Sequence, residues 1–518
     1  MRAEVPAEAG CRVEGGASCM GEAAERVKNA RVRRRVMSAE AAAEMVAPDA
    51  VLAVSGFARA GGPKEVPLAL ARQAREGRPL RLTVWSGGSL GGEIDRELAG
   101  TGAVVRRLPY QSLPDLRQRI NRGEVEYVDQ HLGVCPELVR AGHLGRPDVA
   151  LVEACVVRED GSLVPTSSVG NSALYVEVAA AVIVEVNLWH PVELEGLHDI
   201  WGYGRPPGRG PLPLVDPLQR IGRPAIPVDP DRIAAVVLTC RPDHPYEFDP
   251  PDEASLRIGE HLLDFLEGEV RAGRLPPGLL PVQAGVGSLG NAVLGALARW
   301  PHPGLTFFSE VLQDGVLDLI DAGVARGASG TALTLSAAGQ ERFHRDVSRY
   351  KPHLILRPQE VSNSGEAIRR LGVLAVNTAV EVDIYGHVNS SHLFGSQILN
   401  GIGGSGDFSR NAYLSVFVTS STARGGRVSC VVPMVSHVDH TEHEVHVVVT
   451  EQGVADLRGL SPRERAAAII SRCAHPTYRP LLEDYFRRAC REGGHSPHLL
   501  GEALSWHVRY LERGTMLP

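Results

Sequence analysis

The chain has 518 residues, 43% of them hydrophobic and 22% charged, with a formal net charge of −7. That length allows two or more domains with sizeable cores, and the acidic balance offers no basic field for nucleic acid and no polybasic patch for an anionic membrane. The 8 cysteines lie far apart with no C-x-x-C pair, which argues against a zinc ribbon or a disulfide framework and makes a reduced, cytoplasmic setting the expectation.

Residues 1–29 contain acids and lack an apolar core, so they do not read as a secretory signal. They are expected to be a poorly ordered extension, with Met20 an alternative start to Met1. Strand-like runs at 51–54, 82–85, 149–152 and 182–186 then alternate with helical patterns at 39–46 and 68–74. Such alternation predicts an α/β fold with mostly parallel sheet. Residues 202–230 hold eight prolines and five glycines with little apolar periodicity, which marks a domain boundary. Domains are accordingly expected at 30–225 and 226–518, the second α/β pattern opening at Ile233. The uncharged stretch 275–298 is broken by Pro276, Pro277 and Pro281, so it does not read as a membrane helix.

Three constellations carry chemistry. In "VQAGVGSLGNAV" (282–293), Gly285, Gly287 and Gly290 satisfy GxGxxG between a strand and a helix. Glu310 follows where a dinucleotide fold places its ribose acid, about 20 residues on. A nucleotide, another anionic or acyl ligand, and a plain tight turn all fit this pattern, since N–H groups at a helix start suit any anion. In "NGIGGSGDFSRNAYLS" (400–415), four glycines let the backbone approach a ligand, and no phosphate-binding lysine follows. That favours an oxyanion hole or thioester pocket. In "HVDHTEHEVHVVVTEQG" (437–453), His437, His440, His443 and His446 recur every three residues; on a strand or loop that spacing aims them apart, so hydrogen-bonded histidines are expected rather than a metal site. Glu310 ends the apolar run 305–308, and Glu451 ends the strand of the third motif.

These segments, with "SEVLQDG", "EVDIYGHVNSSH", "CAHPTYRP" and, nearer the N-terminus, "VSGFARAGGPKEVPLALA", "SVGNSALYVE" and "VEVNLWHPVELEGLHDIWG", resemble the acetyl-CoA hydrolase/transferase family over roughly residues 31–486. The resemblance implies two related CoA-transferase-type α/β domains with the active site in the cleft between them. Glu310 matches the nucleophile of a mechanism running through an acyl-glutamyl anhydride and a glutamyl-CoA thioester. Main-chain N–H groups of Val286 and Gly404 match the oxyanion donors. Gly285, Val286, Gly287, Ser288, Leu289, Asn400 and Gly404 match coenzyme A-binding positions. Asn363 is expected to orient the carboxylate or acyl oxygen, unless it merely makes an Asx turn, and Glu451 to act as an acid one layer behind the reacting groups, unless it forms a structural ion pair in its loop. The resemblance further implies acyl-CoA and short-chain carboxylates as substrates, a homodimer, and no cofactor beyond coenzyme A itself. CoA transfer is favoured, acetyl-CoA hydrolysis is the alternative, and an NAD-binding dehydrogenase is disfavoured because it leaves the C-terminal motifs unexplained.

Overall fold

Runs of β-branched and leucine residues form strands buried on both faces, as parallel sheets covered by helices require. A computed structural model describes residues 21, 23, 25–247 and 250–518. The first sheet contains β1 (Val51–Val54), β2 (Leu82–Trp85), β3 (Val104–Leu108), β4 (Glu126–Tyr127), β5 (Val149–Ala154), β6 (Ala181–Asn187) and β7 (Ile233–Thr239). The second contains β8 (Val282–Ala284), β9 (Leu305–Phe308), β10 (Ala325–Gly330), β11 (Leu354–Leu356), β12 (Leu374–Thr378), β13 (Leu414–Val418), β14 (Val447–Thr450) and β15 (Gly453–Asp456).

The strand order is β4-β3-β2-β1-β5-β6-β7 in one sheet and β11-β10-β9-β8-β12-β13-β14-β15 in the other. Numbered within its own domain, each sheet reads 4-3-2-1-5-6-7, the second adding an antiparallel edge strand. All other pairs in the two sheets are parallel. The order reverses between β1 and β5 and again between β8 and β12. At such switch points the flanking loops diverge and leave a crevice beyond the strand ends.

Three helices flank these sheets. α1 (Glu65–Arg75) buries Val66, Ala69 and Leu70, and its first turn is held by the buried Glu185 carboxylate, which accepts from the Lys64, Glu65 and Val66 N–H groups at 2.7–3.0 Å. α2 (Glu253–Arg271) is capped by Asp252, which accepts from Ser255 N at 2.8 Å, a contact worth about 1 kcal/mol. α3 (Ser288–Leu297) follows β8 through the Gly285–Gly287 turn.

The domain boundary differs from expectation. β7 pairs with β6 over the whole of Ile233–Thr239, so it completes the first sheet, and the break at 225/226 falls one strand early. The Pro/Gly-rich stretch is not a free linker either. It crosses to the second domain, where Leu212 and Leu214 are buried with Phe308, Val361 and Phe408. The buried Arg357 guanidinium holds its flanks, bonding the Asp199 carboxylate and the carbonyls of Pro217 and Gln219. The chain then returns, and Ile226 bridges Leu163. Residues 1–20, 22 and 24 lie outside the described residues. Residues 25–29, expected in the extension, are part of the fold: Val27 is fully buried beside Val157 and Arg26 donates to the His190 carbonyl at 2.9 Å. Among the described residues no helix is long and apolar enough to cross a membrane.

Candidate active site

The two switch points face one another across a cleft of about 400 Å³. Phe57, Ala58 and Arg59 reach it from beyond β1, Gly285 and Val286 from beyond β8, and Thr378 from the end of β12. Another part of the wall is the glycine loop 400–404, which leads into α4 (Ser405–Asn411), and Tyr110, Arg117 and Tyr246 also line it.

Glu310 stands just beyond β9. Its carbonyl accepts from Thr331 N at 2.7 Å and Ala332 N at 3.2 Å, which fixes the backbone. Its side chain enters the cleft against Gly404, where a built Cβ would lie 2.3 Å from the Glu310 carboxyl carbon and 2.4 Å from Asn363 Nδ2. Only glycine lets the loop approach this closely. One carboxyl oxygen, Oε1, is sealed from solvent with no hydrogen-bond partner, although the residue as a whole keeps some exposure to the cleft. Burial pushes its pKa up to about 8; a hydrogen bond with Asn363 opposes the rise and the Asp407 charge adds to it.

Asn363 is itself buried. Its Nδ2 donates to Asp407 Oδ2 at 3.1 Å and its Oδ1 accepts from Ser362 Oγ at 2.9 Å. Asp407, in the first turn of α4, also accepts from Gly133 N of the first domain at 2.8 Å. Burial raises its pKa to about 7 against the bonds from Gly133 and Asn363. One amide is thus shared between two buried carboxyl groups, one of them tied across the domain interface. Asp407 was not singled out from the sequence; its signal was an acid directly after a glycine run.

The structure brings the other expected residues together unevenly. Gly285 bonds Val376 O through its N–H at 3.0 Å, and a Cβ on Gly290 would sit 1.9 Å from the Gly285 carbonyl oxygen, so α3 closes on the turn only with glycine there. Gly287 holds φ +119°, and Gly287, Ser288 and Leu289 lead off the cleft wall into α3, Ser288 being exposed. Asn400 lines the cleft, its carbonyl accepting from Gln111 Nε2 at 3.1 Å. Glu451 does not line it: its carboxylate accepts from the neutral donors Ser421 N at 2.8 Å and Gln452 Nε2 at 3.0 Å, so among the described residues it makes no ion pair. The histidines of 437–446 have separate partners. His440 is buried between Ser405 Oγ and Ser409 Oγ at 3.1 and 3.2 Å, His446 Nδ1 accepts from Ser415 N, and His437 stacks on His392. Among the described residues, the ligand-type atoms that do converge are those of Glu153, His190 and Asp243. There the Lys64 ammonium already lies 2.5 Å from Glu153 and 3.1 Å from Asp243.

Two doubly wound domains meeting at their switch points over a buried carboxylate define an α/β protein of the CoA-transferase fold. The chain belongs to the acetyl-CoA hydrolase/transferase family: the model of its N-terminal domain matches residues 20–238 and that of its C-terminal domain residues 339–486. It is 45% identical to the succinyl-CoA:acetate CoA-transferase of Clostridium kluyveri, over 95% of this chain and 92% of that protein. It is 42% identical to an acetyl-CoA hydrolase of Schizosaccharomyces pombe, over 89% of this chain and 92% of that one. Among solved structures, RipA of Yersinia pestis superposes with a TM-score of 0.71 at 24% identity, covering 89% of this chain and 98% of that one.

Proposed function

We propose that the chain transfers coenzyme A between an acyl-CoA and a free short-chain carboxylate through covalent chemistry on Glu310. The observation that carries this is the Glu310 carboxyl itself: fixed backbone, one oxygen sealed and unpartnered, and Gly404 flush against it. A carboxylate is a poor nucleophile in water, but a positioned and partly desolvated one is not held back by its own hydration. Ionised Glu310 attacks the thioester carbonyl, and the C–S bond breaks to give an acyl-glutamyl anhydride and CoA thiolate. The thiolate attacks the Glu310 carbonyl carbon and expels the acyl group as its free carboxylate, leaving a glutamyl-CoA thioester. An incoming carboxylate reverses both steps and departs as the new acyl-CoA. The N–H groups of Val286 and Gly404 would hold each tetrahedral oxyanion, a donor of this kind contributing about 3 kcal/mol. Asn363, fixed by Asp407 and Ser362, would hold the Glu310 carboxyl in line.

Transfer is favoured over hydrolysis by the composition of the wall. Among the described residues lining the cleft, Glu310 is the sole carboxylate and there is no histidine. Water needs a base to attack the intermediate, whereas an incoming carboxylate arrives ionised. Two measurements test this. Borohydride treatment during turnover with acetyl-CoA should reduce the thioester and convert the Glu310 side chain to an alcohol, read by peptide mass. CoA exchange should rise when a carboxylate is added. An unmodified Glu310 peptide while acetyl-CoA is consumed would sink the covalent route, and acceptor-independent consumption would favour hydrolysis.

A further inference from the structure

The cleft wall carries a cation that the chemistry above does not use. Arg59 lies on the loop between β1 and α1. Ala58 and Arg59 hold φ of 48° and 71°, a left-handed conformation that non-glycine residues adopt only when their surroundings impose it. The surroundings here do so. Arg59 N donates to Ser89 O at 3.1 Å, Thr334 Oγ1 donates to Ala58 O at 3.1 Å, and Gly61 N donates to the Asp243 carboxylate at 3.1 Å. Phe57 and Ala58 pack with Val311 and Ala332, the residues next to Glu310 and on the strand its carbonyl bonds. The loop is therefore set rigidly relative to the nucleophile.

Among the described residues the half-buried guanidinium makes no ion pair. The buried arginines, Arg107, Arg140 and Arg357, each meet a carboxylate: Asp95, Glu360 and Asp199. The Arg59 Nε is sealed without an acceptor, and its Cζ lies 4.5 Å from the Tyr246 ring centroid. Arg117, the second arginine on the wall, differs in that it is spent partly on the Ser112 carbonyl at 3.0 Å. A fork of unused donors, held flat by an aromatic ring and lining a substrate cavity, suits a planar carboxylate.

Resting on the transfer reading, we propose that Arg59 binds the distal carboxylate of a short dicarboxylic acyl group, so that the chain selects succinyl-type over acetyl-type units. The reacting carboxyl or thioester carbon sits at Glu310, and the second carboxylate of the same unit reaches Arg59. A phosphate of coenzyme A is the other anion with the same chemistry, and comparing two donors that share the same coenzyme A separates the two.

The test uses the full chain and its Arg59→Met and Arg59→Lys variants, with kcat/KM measured for succinyl-CoA and for acetyl-CoA. Arg59→Met should lower the succinyl-to-acetyl ratio by about 10- to 100-fold, the scale of a lost charge-assisted contact that leaves a substrate charge unpaired. Arg59→Lys should recover part of it, and thermal melting checks that both variants fold. Equal losses for both donors would assign Arg59 to coenzyme A or to the loop, and an unchanged ratio would also overturn the proposal. The ratio is readable whether a carboxylate takes the coenzyme A or water consumes the intermediate. Failure of carboxylate-dependent exchange would thus refute the transfer reading without obscuring the result for Arg59.

Discussion

Replacing Glu310 with glutamine keeps the shape of the side chain and removes its ionisation, which makes the desolvation argument measurable. In the folded chain this carboxyl holds its proton to about pH 8 against an ordinary value of 4.5. Because the folded pKa lies above the unfolded one, the protonated carboxyl favours the folded state fully below pH 4.5. That contribution is lost as pH rises and is gone above about pH 8. Each unit is worth about 1.4 kcal/mol, so the wild type should lose up to about 5 kcal/mol relative to Glu310→Gln across the window, and about 2–3 if cleft water screens part of the cost. For a chain of this size, 5 kcal/mol corresponds to about 4–5 °C in melting temperature. Thermal melts of both proteins at half-unit steps from pH 5 to 9 read it directly. The Gln variant should gain on the wild type with rising pH and the gain should level off near pH 8. A pH-independent difference, or one that widens toward acid, would mean the carboxyl is ionised at neutral pH and the desolvation account is wrong.

The same carboxyl should govern catalysis: kcat/KM for the acyl-CoA donor should climb with pH up to about 8, and Asp407→Asn, by removing the neighbouring charge, should shift that limb to lower pH. An unmoved limb would show that Asp407 does not act on Glu310. Gly404→Ala places a methyl 2.3 Å from the Glu310 carboxyl carbon; it should push the nucleophile aside and lower kcat by about 100-fold or more, while the melting temperature changes by a few degrees at most. A variant with near-normal kcat would place the reacting carbon elsewhere. Lys64→Met strands the Glu153 and Asp243 carboxylates, which should cost about 3–5 kcal/mol and lower the melting temperature more at pH 8 than at pH 5. Equal losses at both pH values would mean the cluster is not held by charge.

What could be read from the sequence was what local pattern encodes. An apolar run that ends in Glu310 before a Gln313-Asp314-Gly315 turn is a strand edge, and the glycine runs at 285–290 and 401–406 allow close backbone approach; Glu310, Gly285, Gly401, Gly403 and Gly404 land on the cleft. What could not be read depends on partners distant in the chain. The Ile233–Thr239 segment looks like the start of a new unit because nothing local says that its neighbour is Ala181–Asn187. Residues 202–230 look like a linker because prolines and glycines suppress periodicity, yet the stretch is ordered from outside by Asp199, Arg357 and the pocket that takes Leu212 and Leu214. Asp407 looks like an ordinary first-turn acid, and becomes notable only when Asn363 and Gly133, from different domains, close on it.

The repeated 4-3-2-1-5-6-7 order explains why the site needs both domains. A single doubly wound sheet offers one crevice, open on its far side, and a carboxylate there would be hydrated and weak. Facing a second switch point across the first closes that side. The glycine loop 401–404 then packs on Tyr110, Tyr127 and Asp129 of the first domain, and the Asp407 bond to Gly133 spans the same seam. Gly404 and Asn363, which close on Glu310, belong to its own domain, and the seam braces the loop that carries Gly404. A substitution that loosens the seam should therefore let water reach the carboxyl and lower both its pKa and the rate of the acyl-CoA half-reaction.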